Sequence, residues 1–238
     1  DSGAKKRQYH MLRHLTRDHQ VTLVSFIRPD DPDEALSHLR SICRAVHGVP
    51  MQRSMWRNLR AGVKGMLTGL PIVIARDEIR EMKRTLSTLV SETDYALIHA
   101  DQLSMAGYGQ MARQMAGPYK PQTLLDEHNA IYRLTQRMAK TEPRPLRRAL
   151  MVREAQAFAR YEASMCEAYD AVLTVIPEDR EHLLDLFPSE ARSPLASKFT
   201  VIPICVDPDA VPMVSRQNHH PPTVIHIGTM FWPPNVEG

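Results

Sequence analysis

Phe199-Thr-Val-Ile-Pro203, Ile204-Cys-Val-Asp207, a polar passage from Pro208 to Pro222, and Thr223-Val-Ile-His-Ile-Gly-Thr-Met-Phe-Trp-Pro-Pro-Asn235 follow one another near the end of the sequence. A β-branched strand runs into a proline, a Pro- and Asn-bearing segment follows, and a fresh apolar strand ends on Gly228. Such punctuation closes one α/β domain and opens another. The reading that follows is a first domain over 1–207, a linker over 208–222, and the opening strand and loop of a second domain over 223–238.

Upstream of that boundary the pattern alternates. Tyr9, Met11, Leu12 and Leu15 fall at helical spacing, and Val21 to Ile27 is almost wholly apolar, as a buried parallel strand is. Pro29-Asp-Asp-Pro-Asp33 caps a helix with Ala35, Leu36, Leu39 and Ile42 on its apolar face. A short strand at Ala45 to Val49 precedes a helix carrying Trp56, Leu59, Val63 and Leu67, and a further helix spans Asp77 to Val90. Strands at Asp94–Ala100, Gln122–His128, Ala171–Ile176 and Phe199–Ile202 then alternate with helices, two of them opened by Pro145 and Pro177. The alternation predicts an α/β fold, a doubly wound, mostly parallel Rossmann-like sheet. The first strand of such a sheet is expected ahead of Asp1, so the chain reads as a fragment.

Composition sets limits before any motif does. With 238 residues, 43% hydrophobic and 24% charged, the chain suits an ordinary globular domain with a sizeable core. Its apolar runs are too short to span a bilayer. Three widely spaced cysteines, Cys43, Cys166 and Cys205, fit neither a disulfide framework nor a zinc site, which favours a reducing cytoplasm. A net charge of +3 argues against a nucleic-acid partner. The 13 methionines read as core filler.

In open parallel sheets ligands lie beyond the carboxyl ends of the strands. Four stretches qualify. At Asp1-Ser2-Gly3-Ala-Lys5-Lys-Arg7 a glycine turn and a helix N-terminus suit an anion, while a capped helix with a solvated basic first turn explains the same residues. At Ile98-His99-Ala-Asp101, His99 reads equally as a ligand or as a satisfied core imidazole, and Asp101 binds hydroxyls or caps the next helix. The densest polar cluster is Leu125-Asp126-Glu127-His128-Asn129; its alternative reading is a helix cap at Asp126 or Asn129 beside an exposed His128. At Pro177-Glu-Asp179, helix initiation suffices. Basic residues also gather from Arg133 to Arg153; they suit either a solvated helix face or an anionic membrane surface.

The sequence around the hinge, with Val201, Ile202, Pro203, Val206 and Asp207, resembles the inter-domain signature of family 4 glycosyltransferases, retaining sugar transferases with two facing Rossmann-like domains (the GT-B fold). Ile204 and Cys205 stand where that signature has Asn and Gly. Gly3-Ala-Lys-Lys-Arg7, Leu125-Asp-Glu-His-Asn129 and Ile227-Gly-Thr-Met-Phe-Trp-Pro-Pro-Asn235 are similar to the family's glycine-rich turn, its strand-ending histidine, and the second-domain opening of a bacterial exopolysaccharide-type subgroup. The resemblance implies metal-independent transfer, without cofactor, from a nucleotide-diphosphate sugar to a saccharide or lipid-linked acceptor at a cytoplasmic membrane face. It implies His128 as the catalytic residue, with Ser2, Gly3, Lys5, Arg7, His99, Asp101, Asp126 and Asn129 binding substrate. It further implies that the second domain's cationic and glutamate residues are to be expected beyond Gly238. The same sheet also suits a non-catalytic binding module or half of a sugar-nucleotide epimerase.

Overall fold

The structure, a computed structural model, describes residues 3–29, 31–51 and 54–204. By compactness the chain divides into a unit from Asp1 to Cys205 and a smaller one from Val206 to Gly238. Ser2, the hinge positions Cys205, Val206 and Asp207 and the strand expected at 223–228 lie outside the described residues.

The expected alternation is present. Its first half runs α1 (Gly3–Asp18), β1 (Thr22–Ile27), α2 (Asp33–Ile42), β2 (Ala45–Pro50), α3 (Met55–Thr68), α4 (Ile72–Arg76), α5 (Arg80–Glu92) and β3 (Leu97–Asp101). There follow α6 (Leu103–Met115), β4 (Gln122–Glu127), α7 (Ile131–Thr141), α8 (Pro145–Ala168), β5 (Ala171–Thr174), α9 (Pro177–Leu184), α10 (Ser189–Ala196) and β6 (Phe199–Val201). All strand pairs are parallel, in the orders β1-β2 and β3-β4-β5-β6. The protein is therefore α/β with parallel sheets.

Two prolines act as the sequence suggests: Pro145 and Pro177 occupy the first turns of α8 and α9, where a missing N–H costs nothing. The helix expected over Asp77 to Val90 differs. It begins at Arg80, and a separate short helix, α4, precedes it. Tyr108 explains the break, because its hydroxyl accepts from Ile79 N at 2.5 Å and donates to Asp77 O at 2.7 Å, satisfying the backbone between the two helices.

The main core lies between the four-stranded sheet and α6, α8 and α9, with Leu125, Val172, Ala106, Cys166, Tyr169 and Leu183 fully buried. Small residues on α6 let aromatic rings come close. The Tyr169 hydroxyl donates to Ala106 O at 2.7 Å, and a Cβ placed on Gly109 would sit 2.2 Å from that hydroxyl. Gly109 is thus fixed by packing rather than by backbone conformation.

The helix α3 departs from the methionine and apolar-face expectations. Its spacing predicts a stripe over Trp56, Leu59, Val63 and Leu67, and that stripe faces outward: Trp56 is 76% exposed and Leu67 83%. The residues of α3 that are buried are Ala61 and Gly65. Met55 and Met66 belong to the exposed face too, so not every methionine fills core; Met82, by contrast, is buried. Among the described residues no helix is long and apolar enough to cross a membrane.

Candidate functional site

The parallel register puts Asp101, the last residue of β3, directly beside Asp126 on β4. Side chains alternate along a strand, so Asp126 and His128 project to one face of the sheet while Leu125 and Glu127 project to the other. The contacts follow that division. Asp126 meets Arg7 of α1, and the buried Glu127 lies on the side of α8, where the Glu162 charge acts on it. Helices therefore cover both faces at this end of the sheet.

On the α1 face, His128 Nε2 lies 2.9 Å from Asp101 Oδ1 and 3.9 Å from Asp126 Oδ2. A carboxylate only accepts, so the proton of the His128–Asp101 hydrogen bond sits on Nε2, and in the neutral ring Nδ1 is left as the acceptor. The His128 side chain is 8% exposed and that of Asp101 35%, which makes Asp101 the more open edge of the cluster. His99, two residues before Asp101 on the same strand face, has a buried Nε2 without a hydrogen-bond partner. Burial pushes this imidazole below its ordinary range, against the opposing pull of Asp101 and Asp126. It is neutral at pH 7.

Asp126 is closed off by Arg7, whose Nη2 donates to Oδ1 at 2.9 Å and Nε to Oδ2 at 3.2 Å. Arg7 Nη1 donates to Pro203 O at 3.2 Å and also to Ile202 O, so one guanidinium ties α1 to the ends of β4 and β6. Asp101, Asp126 and His128 carry ligand atoms within 4.8 Å of one another, a donor set of the kind that holds a cation. Both oxygens of Asp126 already face the Arg7 guanidinium, however, and a metal ion there would meet that charge. The trio reads as a hydrogen-bonded network.

The structure corrects several expectations. Arg7 does not belong to a solvated first turn; it is wholly buried, and four of its five N–H donors are taken by protein acceptors. Asp101 is not a helix cap, since α6 is preceded by Gln102 and has no side-chain cap. Neither Asp126 nor Asn129 caps α7, and His128 is not exposed beside a cap. His99 is not a satisfied core imidazole. Lys5 and Asn129 are exposed, and Gly3 is the first residue of α1.

What holds α7 instead was missed in the sequence. Glu162 of α8 accepts from Ile131 N at 2.5 Å and Tyr132 N at 3.0 Å, and Asp179 of α9 accepts from Ala130 N at 3.1 Å. Asp179 therefore does more than start its own helix: together with Glu162 it fixes the loop that carries His128. Burial raises the Glu162 carboxyl, and raises Glu127 well above the carboxylate range, with Glu162 and Asp126 adding to the effect at Glu127.

The turn after β3 is strained. Gln102 has φ 73° and ψ 153°, the single non-glycine residue with positive φ among the described residues. Such geometry costs of order 1–3 kcal/mol and persists where surroundings impose it. Here Gln102 N donates to Asp126 O at 3.0 Å and Gln102 O accepts from Met105 N at 2.9 Å. The strained turn holds Asp101 at the mouth of the cluster. Compared with known protein families and with curated proteins, the chain matches none.

Proposed function

We propose that this chain is the acceptor-side domain of a retaining, metal-independent glycosyltransferase of family 4 type. The intact enzyme moves a sugar from a nucleotide-diphosphate donor to a saccharide or lipid-linked acceptor. The observation that carries the reading is the convergence of His128, Asp101 and the neutral His99 at the carboxyl ends of β3 and β4. That is where parallel sheets bind ligands.

The chemistry suits sugar transfer. Positive charge develops at the anomeric carbon as the glycosidic bond breaks, and an oriented imidazole with a carboxylate behind it stabilises that charge without reorganising. Asp101 fixes the His128 tautomer, so Nδ1 accepts from a sugar hydroxyl or the ring holds a proton against developing negative charge. Arg7 has a positioning role, holding Asp126 and through it the strand end.

Two further features support the reading. A doubly wound sheet of order 3-2-1-4-5-6, continued by a seventh strand beside strand 6 and without its strand 1 among the described residues, would fall into the two groups seen, β2-β1 and β3-β4-β5-β6. The free, buried Cys43 and Cys166 suit a cytoplasmic enzyme. Incubating the full-length gene product with a panel of labelled nucleotide sugars tests the proposal, with transfer and retained anomeric configuration expected. No binding or turnover of any nucleotide sugar by the full-length protein would overturn the reading.

A further inference from the structure

The least explained feature of the molecule is α3. Successive residues of a helix are about 100° apart, which places Met55, Trp56, Leu59, Val63, Met66 and Leu67 within an arc of about 120°. All are more than half exposed, from Val63 at 54% to Met55 at 87%. The opposite side carries Ala61 and Gly65 and is the side the domain buries. A Cβ at Gly65 would lie 3.1 Å from Leu70 O, so the helix sits close against its support and presents its large side chains outward.

The charge pattern narrows what covers this stripe. From Met51 to Arg76 the sequence has no Asp or Glu, while Arg53, Arg57, Arg60, Lys64 and Arg76 fall within it. Arg60 is exposed on the flank of the stripe, beside Lys64, which pairs with Glu78 at 2.6 Å. The element that grips the far end of α3 repeats the pattern. Arg153 of α8 donates to Leu70 O at 3.0 Å and to Gly65 O, and Glu154 Oε2 accepts from Ile72 N at 2.8 Å. One and two turns earlier α8 exposes Leu150 at 41% and Leu146 at 86%, with Arg147 and Arg148 exposed among them. No acidic residue occurs from Pro143 to Arg153.

We infer that the outward face of α3 is a docking surface for an anionic lipid bilayer. A ridge with Trp, Leu and Met on its crest and Arg and Lys on its flank is the pattern of a helix that lies in the headgroup boundary with its apolar face down. Basic side chains near an anionic leaflet add attraction that salt screens. A protein partner of opposite charge would need an acidic rim around an apolar groove, whereas anionic lipid supplies both parts in one surface. The inference does not depend on sugar transfer.

Co-sedimentation of the whole chain with phosphatidylcholine vesicles, with and without phosphatidylglycerol, tests it. Binding is expected to the anionic vesicles and to fall with salt. Leu59→Glu with Leu67→Glu, both at exposed positions, should lower it about tenfold at unchanged melting temperature. In a Trp232→Phe background, which leaves Trp56 as the lone indole, the emission should shift to the blue and be quenched by brominated lipid. That optical readout decides the matter even if the double-glutamate variant folds poorly. Unshifted Trp56 emission, a self-associating species that hides Trp56 without lipid, or binding only to duplex nucleic acid would each overturn the inference.

Discussion

Arg7 and Asp126 stand 119 residues apart in sequence and meet as a buried two-point ion pair, Nη2 to Oδ1 at 2.9 Å and Nε to Oδ2 at 3.2 Å. The pair joins the first helix to the end of the strand that carries the candidate site. Removing either partner strands a charge away from water. Arg7→Met or Asp126→Leu should each cost about 3–5 kcal/mol in urea unfolding, and the double variant should recover most of that loss. Additive losses would mean that the two residues act independently.

Gln102 offers a test of the strain beside the site. Glycine adopts φ 73° freely and alanine does not, so Gln102→Gly should be more stable than Gln102→Ala by about 1–2 kcal/mol. Chemical denaturation of the two variants checks this. Equal stability would show that the turn relaxes and stores nothing.

The strands were legible in the sequence because short apolar stretches alternate with helical patterns and turn residues, and the starts of α8 and α9 because proline marks a first turn. Two helices were not. Only five residues form α4, and α10 holds Pro194 in its interior, which reads locally as a break. His128, Asp101 and Asp126 were found from their place after strands. Their mutual arrangement was not, since the partners come from elements far apart in sequence: Arg7 from α1, and Glu162 and Asp179 capping α7 from two later helices. Local rules offered Asn129 and Asp126 as caps because a cap is ordinarily close in sequence. The stripe on α3 shows the same limit, since periodicity finds an apolar face without saying what covers it.

Glu127 gives stability a pH dependence with a definite sign. Its folded-state pKa is raised by burial, so the folded state keeps a proton that the unfolded chain releases above the ordinary carboxylate range. The stabilisation is full below the unfolded pKa, and stability should fall as pH rises above about 4.5, by up to about 1.4 kcal/mol per pH unit for one retained proton. Glu127→Gln keeps the shape and removes the titration. Unfolding free energies measured from pH 5 to 8 should therefore slope less in the variant, and parallel curves would remove Glu127 as the source.

The hydrogen bond of His128 to Asp101 is the relationship on which the proposed chemistry turns, and kinetics of the full-length enzyme separate its parts. His128→Ala removes the group set against developing charge and should lower kcat about a hundredfold or more. Asp101→Asn leaves a partner of similar shape but removes the negative charge that fixes the imidazole tautomer, and should lower kcat about tenfold or more. If Asp101 acts through His128, the double variant should be no slower than His128→Ala alone, because the orienting residue then has nothing to orient. Multiplying losses would instead make Asp101 a direct contact to the sugar, an arrangement its half-open side chain permits. Near-normal turnover for His128→Ala with an unchanged melting temperature would remove His128 from the site altogether.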